Sequence, residues 1–344
     1  MKKAIILFNL GGPDKLENVK PFLFNLFYDP AILNLPKFLR YPLAKLISSR
    51  REPVAKKIYE ELGGSSPILK LTNEQANHLE KKLNNENKEC EYKCFVVMRC
   101  WNPRAEEVIH EVKKYNPEEI ILLPLYPHFS AATSGSSIKE WQNICKNEKY
   151  KIKTSTICCY PTNKNFIKAH TKQIKETVED LKNYKLIFSA HGLPEKNIKK
   201  GDPYQWQIEQ SVNRIVEDLK INNLDWILSY QSRVGPLKWI SPSTDDIIVE
   251  NSKLGKNIVV VPIAFVSEHS ETLVELDIEY KKLADDNGCK NYSRVPALGT
   301  NEDFIRGLTT MIINKDLVKL DNQILSPKIK CPSSFNKCPC QNRL

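Results

Sequence analysis

The run Ile258-Val259-Val260-Val261-Pro262-Ile263-Ala264-Phe265, leading into Ser267-Glu268-His269-Ser270-Glu271, sets the frame for the whole chain. It is far shorter than the ~18 apolar residues that cross a bilayer, and its Val and Ile density favours extended chain. Because the run is continuously apolar rather than alternating, it reads as a strand buried on both faces, the condition of a parallel sheet covered by helices. Leu122-Leu123-Pro124-Leu125-Tyr126 leads into Ser130-Ala131-Ala132-Thr133 in the same way. Working outward, the same kind of run is predicted at 3–10, 93–101, 119–126 and 150–158, and again at 185–190, 224–231, 257–266 and 291–298, with longer helix-periodic segments between. Four runs followed by four imply an internal duplication.

The spacing supports it: the second, third and fourth runs of the two halves are offset by about 131, 138 and 140 residues, and the first pair by about 182. The first half therefore carries an insertion of about 45 residues after its first strand. The expected fold is α/β, with two similar Rossmann-like domains, each a four-stranded parallel sheet flanked by helices. The expected divisions are 1–160, with the insertion at about 12–56, then 161–315, then a cysteine-rich tail at 316–344.

The chain has 344 residues, 41% of them apolar, enough for two cores. Met1-Lys2-Lys3 and the short apolar run after it do not form a signal peptide, and no stretch is long enough to span a bilayer. A cytoplasmic location follows as the expectation. Ten cysteines without an export signal point to reduced thiols or metal ligation rather than disulfides. The net charge of +10 is concentrated between residues 20 and 57, where eight basic residues face only Asp29 and Glu52. That segment is also rich in Phe, Leu and Ile, unlike a phosphate-tracking surface, so nucleic-acid binding ranks last. A nicotinamide enzyme is disfavoured too, because Gly11-Gly12-Pro13-Asp14 lacks the G-x-G-x-x-G spacing that admits a pyrophosphate.

In parallel sheets, ligands bind at the carboxyl ends of the strands. Two runs end in chemistry: 185–190 in His191-Gly192-Leu193-Pro194, and 257–266 in Ser267 through Glu271. Taken alone, His191 is as readily a turn residue bonding a neighbouring carbonyl. Glu271, Glu275 and Glu279 recur at helical spacing and are equally compatible with a solvated acidic face. One imidazole and a file of carboxylates on one rim, however, suit a divalent cation or a proton path.

Leu10-Gly11-Gly12-Pro13, Gly63-Gly64-Ser65-Ser66-Pro67-Ile68, Ser189-Ala190-His191-Gly192-Leu193-Pro194, Gly201-Asp202-Pro203-Tyr204, Gln231-Ser232-Arg233-Val234-Gly235-Pro236 and the segment 262–279 resemble the ferrochelatase family, in its order and spacing. The resemblance runs from residue 3 to about 315. It implies the chelatase-like fold and the insertion of ferrous iron, as substrate, into protoporphyrin IX to form protohaem. His191 matches the family's active-site histidine and Glu271 the glutamate across the pocket, with either residue available as iron ligand or base. Glu275 and Glu279 match the acidic file on a π-widened helix; Arg99, Tyr126, Tyr204 and Trp239 match pocket positions; Arg50 and Arg51 match an arginine pair near the propionates. His191 is expected to be neutral near pH 7. The alternative is a two-lobed haem- or metal-binding carrier without catalysis.

The apolar, basic insertion reads as a lip on the porphyrin cleft, suited to peripheral contact with the inner membrane face through Lys37, Arg40 and Lys45. Oligomeric state stays open, a homodimer among the options. The tail, with Cys331, Cys338 and Cys340, resembles that of members holding a [2Fe-2S] cluster on C-terminal cysteines and one internal thiolate. Ala131 stands at the animal-type internal position and cannot ligate, so Cys158 or Cys159 is the expected donor, as in bacterial relatives. Zinc and an idle tail are the alternatives.

Overall fold

The computed structural model describes residues 1–233, 235, 237–313, 318–320, 324–326 and 331–339. All eight expected strands are present: β1 (Lys2–Asn9), β2 (Glu91–Met98), β3 (Glu119–Pro124) and β4 (Lys153–Ile157), then β5 (Tyr184–His191), β6 (Trp226–Gln231), β7 (Asn257–Pro262) and β8 (Tyr292–Arg294). The first four run β2-β1-β3-β4 and the second four β6-β5-β7-β8, all parallel. The two halves thus share one strand order, the outcome the spacing predicted. β1 and β5 occupy the same central place, and in each the interior residues are inaccessible to solvent, as Ile5, Ile6, Ile187 and Phe188 show.

Expected strand ends overshoot where pairing stops. β8 is an edge strand joined to β7 through only Tyr292, Ser293 and Arg294, so the apolar residues beyond it pack as loop. The tail adds what the sequence did not announce: β9 (Val318–Leu320) and β10 (Ile324–Ser326) extend the first sheet, β10 pairing parallel to β4.

The insertion folds as two helices, Val19–Tyr28 and Lys37–Glu61. Phe22 and Leu23 of the first pack against Tyr59 of the second and against Cys100 at the end of β2. Asp29, only 3% exposed, caps this pair: Arg99 lies 2.9 Å from its carboxylate, Ser136 Oγ donates to it at 2.6 Å, and the Ala31 N–H at 2.8 Å. A buried carboxylate is tolerated only when its lone pairs are met in this way, so the lip is tied to the first sheet at one charged point.

Candidate active site

β5 delivers His191 to the carboxyl rim of the second sheet. Gly192 follows because a side chain there would press on the Trp239 ring and the Gln231 carbonyl, each 3.1 Å from an ideal Cβ. His191 Nδ1 lies 2.7 Å from the Gly192 carbonyl, which can only accept, so Nδ1 donates and Nε2 is the nitrogen presented to the cleft. The turn role and the site role therefore coexist in one residue. Nε2 stands 3.4 Å from Glu271 Oε1.

Glu271 sits in the short helix Ser270–Leu273, capped by His269. The imidazole of His269, which sequence reasoning passed over although it lies in the strand-end motif, is 3.5 Å from the other Glu271 oxygen. Beyond it the chain widens into the π-helix Glu275–Glu279: the Val274 carbonyl accepts from both Ile278 at 3.0 Å and Glu279 at 2.9 Å. Arg294 holds this wide turn, its Nε 2.8 Å from Asp277 and its Nη1 2.6 Å from Glu268. Glu275 accepts from Gln231 Nε2 at 3.0 Å, the Ser232 N–H at 3.0 Å and Ser232 Oγ at 2.6 Å.

Burial disfavours the His191 imidazolium, but the facing Glu271 carboxylate and the Gly192 carbonyl outweigh it, raising the pKa to about 9. Burial likewise opposes ionisation of Glu271, yet His191 and His269 hold it well below the ordinary carboxylate range. Where the sequence led to a neutral His191, the facing carboxylate favours the imidazolium instead. Glu275 is shifted upward, first by burial and then by repulsion from Glu271.

The pair opens into a cleft of about 590 Å³ between the insertion and the second sheet, a size suited to one large flat ligand. Phe22, Leu26, Phe27 and Leu33 form one wall, and Leu193 and Trp239 face them. His191, Glu271, Glu275, Glu279, Arg51 and Trp239 all border it. The other sequence-derived positions do not. Arg50 is exposed outside the lining. Arg99 is spent on Asp29 and Glu140, each at 2.9 Å, and does not reach the cleft. Tyr126 has its hydroxyl buried away from the lining. Tyr204 lies behind the histidine, its hydroxyl donating to the His191 carbonyl at 3.0 Å.

A second cluster forms where β4 ends. Cys158, Cys159, Cys331 and Cys338 pack with Phe129, Trp206 and Phe335. The Cys158 and Cys159 sulfurs are 3.4 Å apart, and Gln207 Nε2 reaches Cys159 at 3.4 Å and Cys331 at 3.2 Å. Cys340 lies outside the described residues. Among the described residues, no group of three or more His, Cys, Asp or Glu side chains is placed to hold a metal ion.

Two parallel 2-1-3-4 sheets, with an apolar slot between the insertion and the second sheet that an imidazole and carboxylates border, are the architecture of a two-lobed chelatase-type protein. The fold is similar to SirB from Bacillus subtilis, with a TM-score of 0.57 at 13% identity, covering 91% of this chain and 95% of that one. The ferrochelatase family model matches residues 2–316, and the chain belongs to the ferrochelatase family, lyases of haem biosynthesis that insert ferrous iron into protoporphyrin IX. It is 75% identical over 342 residues to the ferrochelatase of Pelagibacter ubique, and 53% identical over 347 residues to that of Rickettsia felis, with 99% of each chain covered in both cases.

Proposed function

We propose that His191 and Glu271 are the pair at which this chain inserts ferrous iron into protoporphyrin IX. The observation that carries the reading is Nε2 facing a carboxylate at 3.4 Å on the floor of an apolar cleft. Insertion requires iron to shed water, two pyrrole protons to leave and the macrocycle to bend. The apolar walls favour a bent ring by shape. Glu271 offers an oxygen to the cation; with that carboxylate engaged, the imidazolium passes its proton to water in the cleft, and Nε2 is left free as ligand or pyrrole base. Glu275 and Glu279 extend the acidic line away from the pair and serve protons or metal. Anaerobic incubation with ferrous iron and protoporphyrin IX is expected to give the absorption spectrum of haem; a non-catalytic carrier would bind haem without making it.

Trp239 and Arg51 are the wall and propionate residues of this reading. A guanidinium suits a carboxylate because its donors form a planar fork. Arg50 stands outside, Arg99 anchors the lip through Asp29, Tyr204 fixes the His191 backbone, and the Tyr126 hydroxyl is buried away from the cleft. Separate sheets support a division into 1–160 and 161–315, with the strands of the 316–344 tail joining the first sheet.

The lip's outer face supports peripheral membrane contact. Phe38 is 75% exposed and Val54 63%, beside Leu39, Tyr41, Lys37 and Lys45 on the helix Lys37–Glu61. No helix among the described residues is long and apolar enough to cross a membrane. Vesicles containing anionic lipid are expected to sediment the protein, high salt to release it, and Phe38→Asp to weaken it by about 10-fold. A homodimer is the other occupant of that face, and it would persist without lipid.

The cysteine cluster supports a [2Fe-2S] centre. Cys331, Cys338 and either Cys158 or Cys159 pack together and, with Cys340, would make up the four thiolates such a centre needs, while the Gln207 amide reaches two of the packed sulfurs. When bound, it would supply one-electron chemistry and tie the tail to β4. Anaerobically purified protein is expected to show a visible absorption band and about two irons per chain, both lost in Cys338→Ser.

A further inference from the structure

We propose that protons taken up by Glu275 leave the molecule through Tyr280 and Asp245, by a route distinct from the cleft mouth. The inference rests on the reading of Glu275 as a proton carrier. Glu275 borders two adjoining cavities, the porphyrin-sized cleft and a polar hollow of about 600 Å³; they share Ser232, Arg233, Leu237 and Trp239, while Lys238, Ser241 and Asp245 line the hollow but not the cleft. Asp245 lines the hollow and not the cleft, and it is exposed to solvent.

Three side chains bond the Glu275 carboxylate, and they differ in what they can pass on. The Gln231 amide holds its protons and cannot relay one without changing tautomer. The Ser232 hydroxyl donates to Glu275 and has no other hydrogen-bond partner among the described residues. Tyr280 alone bridges to a second acceptor: its hydroxyl is 3.1 Å from Glu275 Oε1 and 2.6 Å from Asp245 Oδ1. The tyrosine is 5% exposed, so little water competes for the link.

The step balances. A proton on Glu275 Oε1 passes to the Tyr280 oxygen as the phenol's own proton passes to Asp245 Oδ1; one O–H bond forms and one breaks at the phenol, and Asp245 releases its proton to water. Rotation of the phenol O–H resets the chain. Burial and the two flanking carboxylates push the ionisation of Tyr280 far upward, which opposes a phenolate intermediate and favours concerted transfer along the two hydrogen bonds. Arg233 lines both cavities and pairs with Asp246 at 3.4 Å, and Lys238 pairs with Glu195 at 2.9 Å, so the hydrogen-bonded chain rather than a charge barrier sets the proton's path.

The test uses the full chain with Glu275→Gln, Tyr280→Phe and Asp245→Asn, assayed for iron insertion in H2O and in D2O. All three are expected to lower kcat by about 10-fold with KM for porphyrin unchanged. Tyr280→Phe and Asp245→Asn are also expected to enlarge the solvent isotope effect and delay indicator-detected proton release behind the porphyrin absorbance change in a single turnover. If Glu275→Gln is slow while the other two keep the parent's kcat, isotope effect and proton-release timing, the relay is wrong and Glu275 empties elsewhere. If Glu275→Gln also turns over normally, its proton role falls and the relay with it. A change confined to KM in Tyr280→Phe would mean that the phenol only packs, and would overturn the relay as well.

Discussion

Replacement of His191 by alanine is expected to abolish iron insertion while porphyrin binding survives. The imidazole presents Nε2 to the cleft opposite Glu271, so its loss removes both candidate tasks, ligation of iron and acceptance of a pyrrole proton. General-base contributions alone amount to about 10²- to 10⁴-fold, which puts the expected loss of kcat at about 10²-fold or more. Affinity for protoporphyrin comes instead from the apolar wall of Phe22, Leu26 and Phe27 and from Trp239, none of which the substitution removes. Fluorescence quenching of protoporphyrin by the variant should therefore match the parent. A variant that still made haem at a near-parent rate would remove His191 from the mechanism.

Glu271→Gln is expected to lower turnover by about 10²-fold and to change the titration of His191 at the same time. With the carboxylate gone, burial is the leading influence on the imidazole, and its pKa should fall from about 9 toward or below the ordinary 6.5, read by NMR of the ring protons. The sign can be followed in stability as well. His191 is raised, so its contribution is full below 6.5 and is lost as pH rises through about 9. Glu271 is depressed, so its contribution is present above 4.5 and is lost as pH falls. The difference in Tm between parent and variant should accordingly be largest between 4.5 and 6.5 and shrink toward 9. An unchanged His191 titration would mean that the two groups do not share a proton.

Much of the site was legible because strand ends announce it. His191 and Glu271 each follow a continuous apolar run, and the topology brings those two ends to one rim since β5 and β7 are hydrogen-bonded neighbours. His269 escaped notice because an imidazole that caps a helix and one that faces a carboxylate have the same local sequence. Arg99 was less legible for a related reason: it directly follows β2, and nothing close to it in the chain reveals that Asp29, in the distant insertion, lies 2.9 Å from its guanidinium. The cysteines behave likewise. Cys158 and Cys159 lie far from Cys331 and Cys338 along the chain, and only folding packs them together.

By itself the amino-acid order determined the repeated α/β plan, because buried parallel strands demand unbroken apolar runs and those runs recur at a nearly constant offset. It also determined which strand ends carry an imidazole and an acidic file. The tertiary structure alone decided the carboxylate that faces His191, the target of Arg99, the burial of the Tyr126 hydroxyl and of Tyr204, and the link from Glu275 through Tyr280 to Asp245. Those depend on which groups lie within a few ångströms across distant segments, and electrostatic fields and hydrogen bonds follow that distance rather than separation along the chain.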